Sequence, residues 1–271
     1  MRRASVPALL VLVLLPVRPA AACSCVTPSE PRDPDVLLLG GEQPLPTNAR
    51  IRLLYEGGAV RSDDRKTLLP AAAITHVVRT ISGAAVAVEP HVIKTSVETY
   101  VELVPHKPLL PRTRYEVVLT HVGEKEYRVG SILTADAPDR TAPVFAGVQR
   151  AVLRPVGGGE CTIGPLLNIS LTPASDTGKA PPYYAVWTAP ADGAIDYGAA
   201  PAAYRYQSGG VLQLHNGYKC SGRSGGIDTF ALAGRPGVRV GVVAIDEAGN
   251  RSAAREAVVQ TEPPASGVVP Y

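Results

Sequence analysis

Residues 109–119 read LLPRTRYEVVL, and residues 232–246 read LAGRPGVRVGVVAID. In each stretch a Leu leads into a turn that contains Pro, and the turn leads into a run rich in β-branched residues. The first run places Tyr115 near its start, which is how a β-sandwich turns from one sheet into the other, with the tyrosine hydroxyl bonded to backbone upstream. Two such corners in one chain predict two successive β-sandwich domains.

The composition agrees with an all-β chain. A length of 271 residues is enough for two domains that each bury a core. Short runs of Val, Ile, Thr and Tyr are interrupted by 26 Gly and 26 Pro, a balance that favours strands and turns over long helices.

Residues 1–22 have the pattern of a signal peptide. Arg2 and Arg3 form a basic start, residues 8–17 are apolar, and residues 20–22 are three alanines suited to cleavage. The apolar run is shorter than the roughly 20 residues of a membrane span, and no later run reaches that length. We therefore predict an exported protein, in the periplasm, on the outer surface or secreted, whose mature chain begins at Cys23 and has no membrane span.

Removal of this leader changes the charge balance. The full chain has 27 Lys and Arg against 24 Asp and Glu, and loss of Arg2, Arg3 and Arg18 leaves 24 of each sign. A nucleic-acid-binding protein keeps a clustered basic surface, which the mature sequence lacks. Nucleic acid is therefore not expected as a partner.

The rest of the chain divides into two strand-rich regions. We predict an N-terminal arm over residues 23–35, a sandwich over 36–135, a linker over 136–143, a sandwich over 144–261 and a flexible tail over 262–271. The candidate strands of the first sandwich are residues 36–39, 51–55, 74–79, 84–89, 99–104, 115–120 and 127–134. Those of the second are residues 167–171, 183–188, 203–207, 211–215, 229–232, 238–245 and 256–261. Two prolines in the linker predict a limited range of angles between the sandwiches. Trp187 is expected to pack against the opposing sheet of its own sandwich.

Two stretches resemble known domain families. Residues 240–261, VGVVAIDEAGNRSAAREAVVQT, resemble the end of a fibronectin type III or bacterial immunoglobulin-like domain, with a D-x-A-G-N-x-S hairpin before the last strand. Val240 stands where that family usually has the corner tyrosine. The first region is similar to immunoglobulin-like domains of bacterial surface-layer and envelope proteins. The similarity lies in residues 46–55, which begin with the pattern P-x-N-x-x-I-x-L, in residues 110–117 and in residues 131–135. The resemblance implies two consecutive immunoglobulin-like β-sandwich domains.

The four cysteines fall into two pairs. Cys161 and Cys220 are the natural disulfide of the second sandwich in an oxidising compartment, worth about 4 kcal/mol at most for a loop of roughly 60 residues. Cys23 and Cys25 leave three alternatives: a local disulfide or exposed thiols, a lipid on Cys23, or a protease-binding terminus. The third arises because the start C-S-C-V-T-P resembles tissue inhibitors of metalloproteinases, in which the first cysteine binds the protease zinc.

Two residue sets could bind metal ions. His76, His91, His106 and His121 recur every fifteen residues, and imidazole is a common metal ligand, but we favour chance spacing. Asp246, Glu247 and Asn250 offer oxygen ligands for Ca²⁺, whereas an Asp-x-x-Gly-Asn segment is more often a hairpin in which Gly249 or Asn250 has a positive φ. We favour the hairpin and predict no metal or cofactor.

No motif for catalysis is evident. The sequence has no G-x-S-x-G, His215 stands alone among glycines, and residues 157–159 (GGG) precede no Lys-Ser/Thr pair. We therefore predict a non-enzymatic, exported cell-envelope protein whose immunoglobulin-like domains act as binding or spacer modules for a surface protein or glycan. The alternatives are a metalloprotease inhibitor acting through Cys23-Ser24-Cys25 and a metal carrier using the histidines.

Overall fold

A computed structural model describes the chain between residues 36 and 263. Gaps in the description fall at residues 41–42, 56–58, 62–67, 71–73, 96–97, 121–125, 156–161, 177–181, 207–208, 216, 219–226 and 236. The described residues form nineteen strands and one five-residue helix. The predicted all-β class is confirmed.

The first ten strands form one sandwich, called here the N-terminal sandwich. The strands are β1 (Val36–Leu39), β2 (Ile51–Tyr55), β3 (Ala59–Arg61), β4 (Leu68–Pro70), β5 (Thr75–Thr80), β6 (Ala85–Val86), β7 (Val88–Lys94), β8 (Thr99–Pro105), β9 (Arg114–Thr120) and β10 (Tyr127–Leu133). One sheet has the order β1-β2-β8-β7 and the other β10-β9-β5-β6, while β3 and β4 pair separately. This strand order is that of an immunoglobulin-like sandwich.

Alternation along the strands separates a core face from an outer face. In β2, Ile51, Leu53 and Tyr55 are all buried in the core between the two sheets. Arg52, between them in sequence, therefore lies on the opposite face of the same sheet, since successive side chains of a strand alternate.

The predicted tyrosine corner is present in the N-terminal sandwich. The hydroxyl of Tyr115, at the start of β9, accepts a 2.8 Å hydrogen bond from the backbone N–H of Leu110. Between them Arg112 has a φ of 49°, where the chain turns sharply into the strand. The corner thus ties the turn to the strand that follows it.

The remaining strands form the C-terminal sandwich. They are β11 (Gly147–Arg154), β12 (Thr162–Ile163), β13 (Leu166–Thr172), β14 (Tyr183–Pro190), β15 (Ala203–Tyr206), β16 (Val211–Leu214), β17 (Gly217–Tyr218), β18 (Val238–Ile245) and β19 (Arg255–Thr261). Seven of them follow the order β15-β14-β18-β19-β11-β13-β16, and β12 pairs with β17. The first half of β19 pairs antiparallel with β18, and residues 259–261 pair parallel with β11. One strand therefore joins both halves of this sandwich.

Two predicted strands need correction, and five strands were not predicted. Residues 229–232 are not a strand but belong to the helix α1 (Thr229–Ala233), because the Asp228 carboxylate accepts a hydrogen bond from the N–H of Ala231 and so caps its first turn. Residues 84–89 are not one strand: they divide into β6 and β7, which belong to different sheets. The strands that were not predicted are β3, β4, β11, β12 and β17.

The buried apolar residues form separate clusters, one inside each sandwich and a third outside both cores. The first lies within the N-terminal sandwich and the second within the C-terminal sandwich. The third contains Tyr183, Ala185, Trp187, Val243 and Ile245, with Leu39 of β1 packed against it. This third cluster lies where the two sandwiches meet.

Candidate functional site at the junction of the two sandwiches

The two sandwiches pack through outer sheet faces, and we call this contact the junction. On one side are the outward residues of the sheet β1-β2-β8-β7, and on the other those of β14, β15 and the end of β18. Strand β14 is buried on both faces: Tyr184 and Val186 belong to the inner core, while Tyr183 and Ala185 face outward in the third cluster.

Trp187 lies on the outward face, contrary to the prediction. Its ring is 4% exposed and packs edge-on against Tyr197, with centroids 5.2 Å apart, and its indole N–H donates a 2.9 Å hydrogen bond to the Ala199 carbonyl. Val186 faces the inner core, so its neighbour must face the other way. The unbroken apolar run YYAVW was the sequence signal that both faces of this strand are covered.

Arg52 is the central charged residue of the junction. The side chain is 3% exposed and lies over the ring of Tyr183, 4.4 Å from the centroid. Nε donates a 2.8 Å hydrogen bond to Glu102 Oε1, and Nη1 donates a 2.9 Å bond to the backbone carbonyl of Asp246 in the other sandwich. One guanidinium therefore connects both sandwiches.

The negative charge of Glu102 is compensated by two arginines. It is 7% exposed, and Arg50 Nη1 lies 3.2 Å from Oε2 while Arg52 holds Oε1. Burial alone would raise the pKa of Glu102, but the charges and hydrogen bonds of Arg52 and Arg50 outweigh it and lower the pKa below its ordinary value. Glu102 is thus held as a carboxylate.

For Glu247, burial raises the pKa more than the neighbouring Arg52 and Tyr183 lower it. It is 5% exposed, accepts a 3.1 Å hydrogen bond from the Tyr183 hydroxyl, and its Oε2 lies 3.8 Å from Arg52 Nη1. Burial raises the pKa of Glu247 to about 7. Its backbone carbonyl accepts a 2.8 Å hydrogen bond from the N–H of Arg50, which crosses the junction.

A second ionic contact lies at the other end of the same faces. Arg205 Nη1, on β15, donates a 2.9 Å hydrogen bond to Glu98 Oε2 of the N-terminal sandwich. The Tyr100 hydroxyl lies 2.5 Å from that carboxylate oxygen and 2.8 Å from the Tyr204 carbonyl, and the two tyrosine rings are 5.2 Å apart. Hydrogen bonds from buried or half-buried arginines therefore connect the two sandwiches at two separate positions.

The D-x-A-G-N segment forms the predicted hairpin. Gly249 has a φ of 89°, and the Asp246 carboxylate accepts hydrogen bonds from the backbone N–H (2.8 Å) and the side-chain amide (2.7 Å) of Asn250. Glu247 points to Tyr183 instead, so Asp246, Glu247 and Asn250 do not gather as oxygen ligands.

A different set of acids does come together beside this hairpin. Carboxylate oxygens of Asp139, Asp176 and Asp246 all lie within 4.8 Å of one another. These are the described residues that could hold a metal ion, and Asp246 in that set is already bonded to Asn250. Sequence reasoning missed Asp139 and Asp176 because they are distant from the hairpin along the chain.

The histidines occupy unrelated positions. His76 Nε2 lies 2.7 Å from the Tyr55 hydroxyl, and burial lowers the pKa of His76 to about 4. His91 lies 3.4 Å from Glu89, and His106 is exposed. His121 is outside the described residues. Within the described ranges, the one group of three or more candidate ligands contains no histidine.

All four cysteines lie outside the described residues, so the predictions for Cys23, Cys25, Cys161 and Cys220 stay predictions. The strands that adjoin the second pair are described. Thr162 of β12, next to Cys161 in sequence, pairs with Tyr218 of β17, two residues before Cys220. No helix in the described part of the chain is long and apolar enough to cross a membrane.

Comparisons with known proteins return structural likeness only. No protein family matches the sequence, and no curated protein does. The chain is similar to the N-terminal Ig1-2 module of the Drosophila receptor protein tyrosine phosphatase DLAR, at 13% identity over 85% of this chain and 100% of that chain, with a TM-score of 0.29.

Two bacterial structures are also similar to it. They are the BSP domain of a biofilm associated protein (12% identity, 84% of this chain, 29% of that chain, TM-score 0.26) and the N-terminal part of the S-layer protein SbsC (11% identity, 84% of this chain, 44% of that chain, TM-score 0.23). At such identities the likeness concerns the fold alone. The strand orders above identify the chain as two consecutive immunoglobulin-like β-sandwiches.

Proposed function

We propose that this chain is an exported, non-enzymatic protein whose two sandwiches form one stiff unit at the cell envelope and act as a spacer or binding element. The observation that supports a stiff unit is the buried junction, in which Arg52 is removed from water while bonded to both sandwiches.

The energetics of buried charge favour a fixed arrangement. Taking an ion out of water costs several kcal/mol unless its partners are well placed, so Arg52 and Glu102 are stable in the junction only when the two sandwiches keep their register. The linker is also held, because the Asn48 amide and the Asp139 backbone exchange hydrogen bonds of 2.7 and 2.8 Å. A pair of modules joined only by a flexible linker would have neither feature.

The sequence supports the proposed location. Residues 1–22 read as a signal peptide, and its removal at Cys23 leaves a chain without net charge. A lipid on Cys23 would anchor the protein, and a free terminus would release it. In either case the partner we propose is a protein or glycan of the cell surface.

Peptide mapping of the exported protein without reducing agent tests the location. We expect an N-terminal peptide that begins at Cys23 and a cross-linked peptide pair containing Cys161 and Cys220, because export exposes thiols to oxidation. A mature protein that retains residues 1–22, or thiols at Cys161 and Cys220 that react with an alkylating agent, would contradict this part of the proposal.

Small-angle X-ray scattering of the mature protein at pH 6 tests the stiffness. We expect one curve that the packed pair of sandwiches reproduces and that does not change with moderate salt, since buried pairs are screened weakly. A curve that requires a mixture of separated sandwiches would overturn the proposal.

A further inference from the structure

A cleft lies at one edge of the junction and has one wall from each sandwich. The N-terminal sandwich contributes Lys94, at the end of β7, and Thr95, which follows it. The C-terminal sandwich contributes the end of β14, from Trp187 onward, and parts of the segment 194–202, which leads to β15. The volume of the cleft is about 380 Å³. Sites for small molecules in proteins have volumes of about 300–1,000 Å³, so the cleft suits a small ligand.

The segment between β14 and β15 is held against its own sheet, which fixes one wall of the cleft. The Trp187 indole N–H donates a 2.9 Å hydrogen bond to the Ala199 carbonyl, and the Tyr197 hydroxyl donates a 2.9 Å bond to Glu256. Tyr197 lies over Gly241 of β18, where an added Cβ would overlap the tyrosine hydroxyl. Gly241 therefore allows the segment to pack closely on the sheet.

The opposite wall is held where β7 leads into β8. The backbone N–H of Thr95 donates a 2.9 Å hydrogen bond to the Glu98 carbonyl, and the Glu98 N–H donates a 2.9 Å bond to the Thr95 hydroxyl. The carboxylate of the same Glu98 accepts the hydrogen bond from Arg205 that crosses the junction. The cleft therefore lies beside an ionic contact that keeps its two walls together.

The lining combines small apolar side chains with one charge of each sign. Lys94 supplies an ammonium group from one wall and Asp196 a carboxylate from the other, and both residues are exposed to water. Asp196 Oδ1 accepts a 2.9 Å hydrogen bond from the Gly198 N–H, which orients the carboxylate. Thr188 adds a hydroxyl that can donate and accept a hydrogen bond. The small apolar residues of the lining include Pro190, Ala194, Ala199, Ala200, Pro201 and Ala202.

These groups distinguish between classes of ligand. A sugar needs several hydrogen-bonding side chains for its hydroxyls, whereas alanine and proline make up most of the described lining. Among the described lining residues Lys94 is the one cation, which is a poor match for the several charges of a nucleotide. Asp196 is the one carboxylate there, whereas Ca²⁺ takes about six to eight oxygen ligands. The chemistry fits a compact apolar molecule with one negative and one positive charge.

We propose that the cleft binds a short peptide with small aliphatic side chains, whose free carboxylate pairs with Lys94 and whose free ammonium pairs with Asp196. The alanine and proline walls leave room for methyl-sized side chains, and the Thr188 hydroxyl can bond to a peptide group. This inference deepens the binding role proposed above by naming a class of ligand. It rests on the stiff unit, because the cleft exists only while the two sandwiches stay packed.

NMR titration of the protein with the dipeptide L-alanyl-L-alanine at pH 6 tests the proposal. Trp187 lines the cleft and is the only tryptophan of the sequence, so its indole N–H signal reports on this site without ambiguity. We expect the signal to shift with a dissociation constant on the order of a few millimolar, as for a ligand of about ten non-hydrogen atoms. The N-acetylated and the C-amidated dipeptide each lack one charge and should bind about 5-fold more weakly.

Variants assign each charge to its partner. Lys94→Gln should bind the dipeptide and its amide equally, and Asp196→Asn should bind the dipeptide and its acetylated form equally, because one partner of each ion pair is gone. Lys107→Gln is the control, since Lys107 is exposed and is not among the residues that line the cleft. Ala200→Leu fills the cleft from an exposed position and should abolish the indole shift while the rest of the spectrum is retained.

An indole signal that does not move with the dipeptide overturns the proposal, and so does equal affinity for the dipeptide and both capped forms. Binding that Ala200→Leu leaves unchanged lies elsewhere and also overturns it. If Ala200→Leu does not fold, Lys94→Gln decides: equal binding of dipeptide and amide supports the proposal, and retained discrimination contradicts it. Scattering at pH 6 tests the stiff unit separately. If the packed pair reproduces the curve and the indole signal does not move, the ligand proposal alone fails.

Discussion

The two sandwiches meet through faces of different chemistry. The N-terminal sandwich presents charged groups, Arg52 and Glu102, on a sheet face that would ordinarily be in water. The C-terminal sandwich presents aromatic rings, Tyr183 and Tyr204, together with the backbone of its last hairpin. The charges of the N-terminal face pair with each other, and Arg52 also donates a hydrogen bond to a backbone carbonyl of the other sandwich, while the rings are covered by this contact. Among the described residues, the buried Arg, Glu and Asp side chains lie at the junction and not in either core.

Removing the central cation should have the largest effect. Arg52→Ala leaves Glu102 buried without its closest hydrogen-bond donor, and loss of one partner of a buried pair costs about 3–5 kcal/mol. We expect the urea midpoint of the less stable sandwich to fall and that of the other to stay the same, since the junction no longer supports the sandwich that unfolds first. Arg128→Ala is the control, because its pair with Glu116 is exposed. A change below about 1 kcal/mol in the total free energy of unfolding would contradict the role given to Arg52.

Acidification should destabilise the N-terminal sandwich more than the C-terminal sandwich. Burial lowers the pKa of His76 in the N-terminal sandwich from 6.5 to about 4, so the unfolded chain takes up the proton first. Stability is full above pH 6.5 and falls as the pH drops towards 4, by about 3 kcal/mol. Urea unfolding at pH 7.5 and pH 4.5, followed by NMR signals of β9 and β18, should show the loss in the N-terminal sandwich.

The variant His76→Asn identifies the group responsible, because it lacks the imidazole proton. Its free energy of unfolding should change less between the two pH values than that of the wild type. An equal slope in both proteins would show that other groups account for the acid sensitivity.

Two tyrosine substitutions should have the smallest effects and fall in different sandwiches. The Tyr115 hydroxyl accepts the Leu110 N–H, whereas in the C-terminal sandwich Val240 occupies the corresponding corner and the Tyr184 hydroxyl accepts the Ala174 N–H at 2.7 Å. Replacing either tyrosine by Phe removes one hydrogen bond and should cost about 1–2 kcal/mol.

Site-resolved hydrogen exchange distinguishes these two variants. Tyr115→Phe should lower the protection of β9 and leave β18 unchanged, and Tyr184→Phe should do the reverse. A loss of protection in both sandwiches after either substitution would mean that the two sandwiches open together in the unfolding events that hydrogen exchange detects.

Much of each sandwich could be predicted from sequence because its strands follow local rules. Runs of strand-forming residues between turn signals identified β2, β8, β9 and β18, and the Leu-Pro-Tyr pattern located the corner at Tyr115. The Asp-x-x-Gly-Asn signal gave the hairpin with Gly249 at a positive φ. These features depend on neighbours in the chain, which the sequence displays directly.

The junction could not be predicted in the same way. In IRLLY and TYVELVP the charged residues Arg52 and Glu102 alternate with apolar ones, which is the usual pattern of a strand with one wet face. Nothing local states that another sandwich covers that face. For Trp187 the apolar run YYAVW does indicate that both faces of β14 are covered, but it does not say what covers the outer face, which depends on distant parts of the chain.

The position of β19 has a consequence for folding during synthesis. This strand completes both halves of the C-terminal sandwich, about 100 residues after β11, with which it pairs. A ribosome has released every strand of the N-terminal sandwich long before that closing partner emerges. The first sandwich can therefore fold before the second has all its strands. The charged face of the first sandwich is then already formed when the second sandwich packs against it.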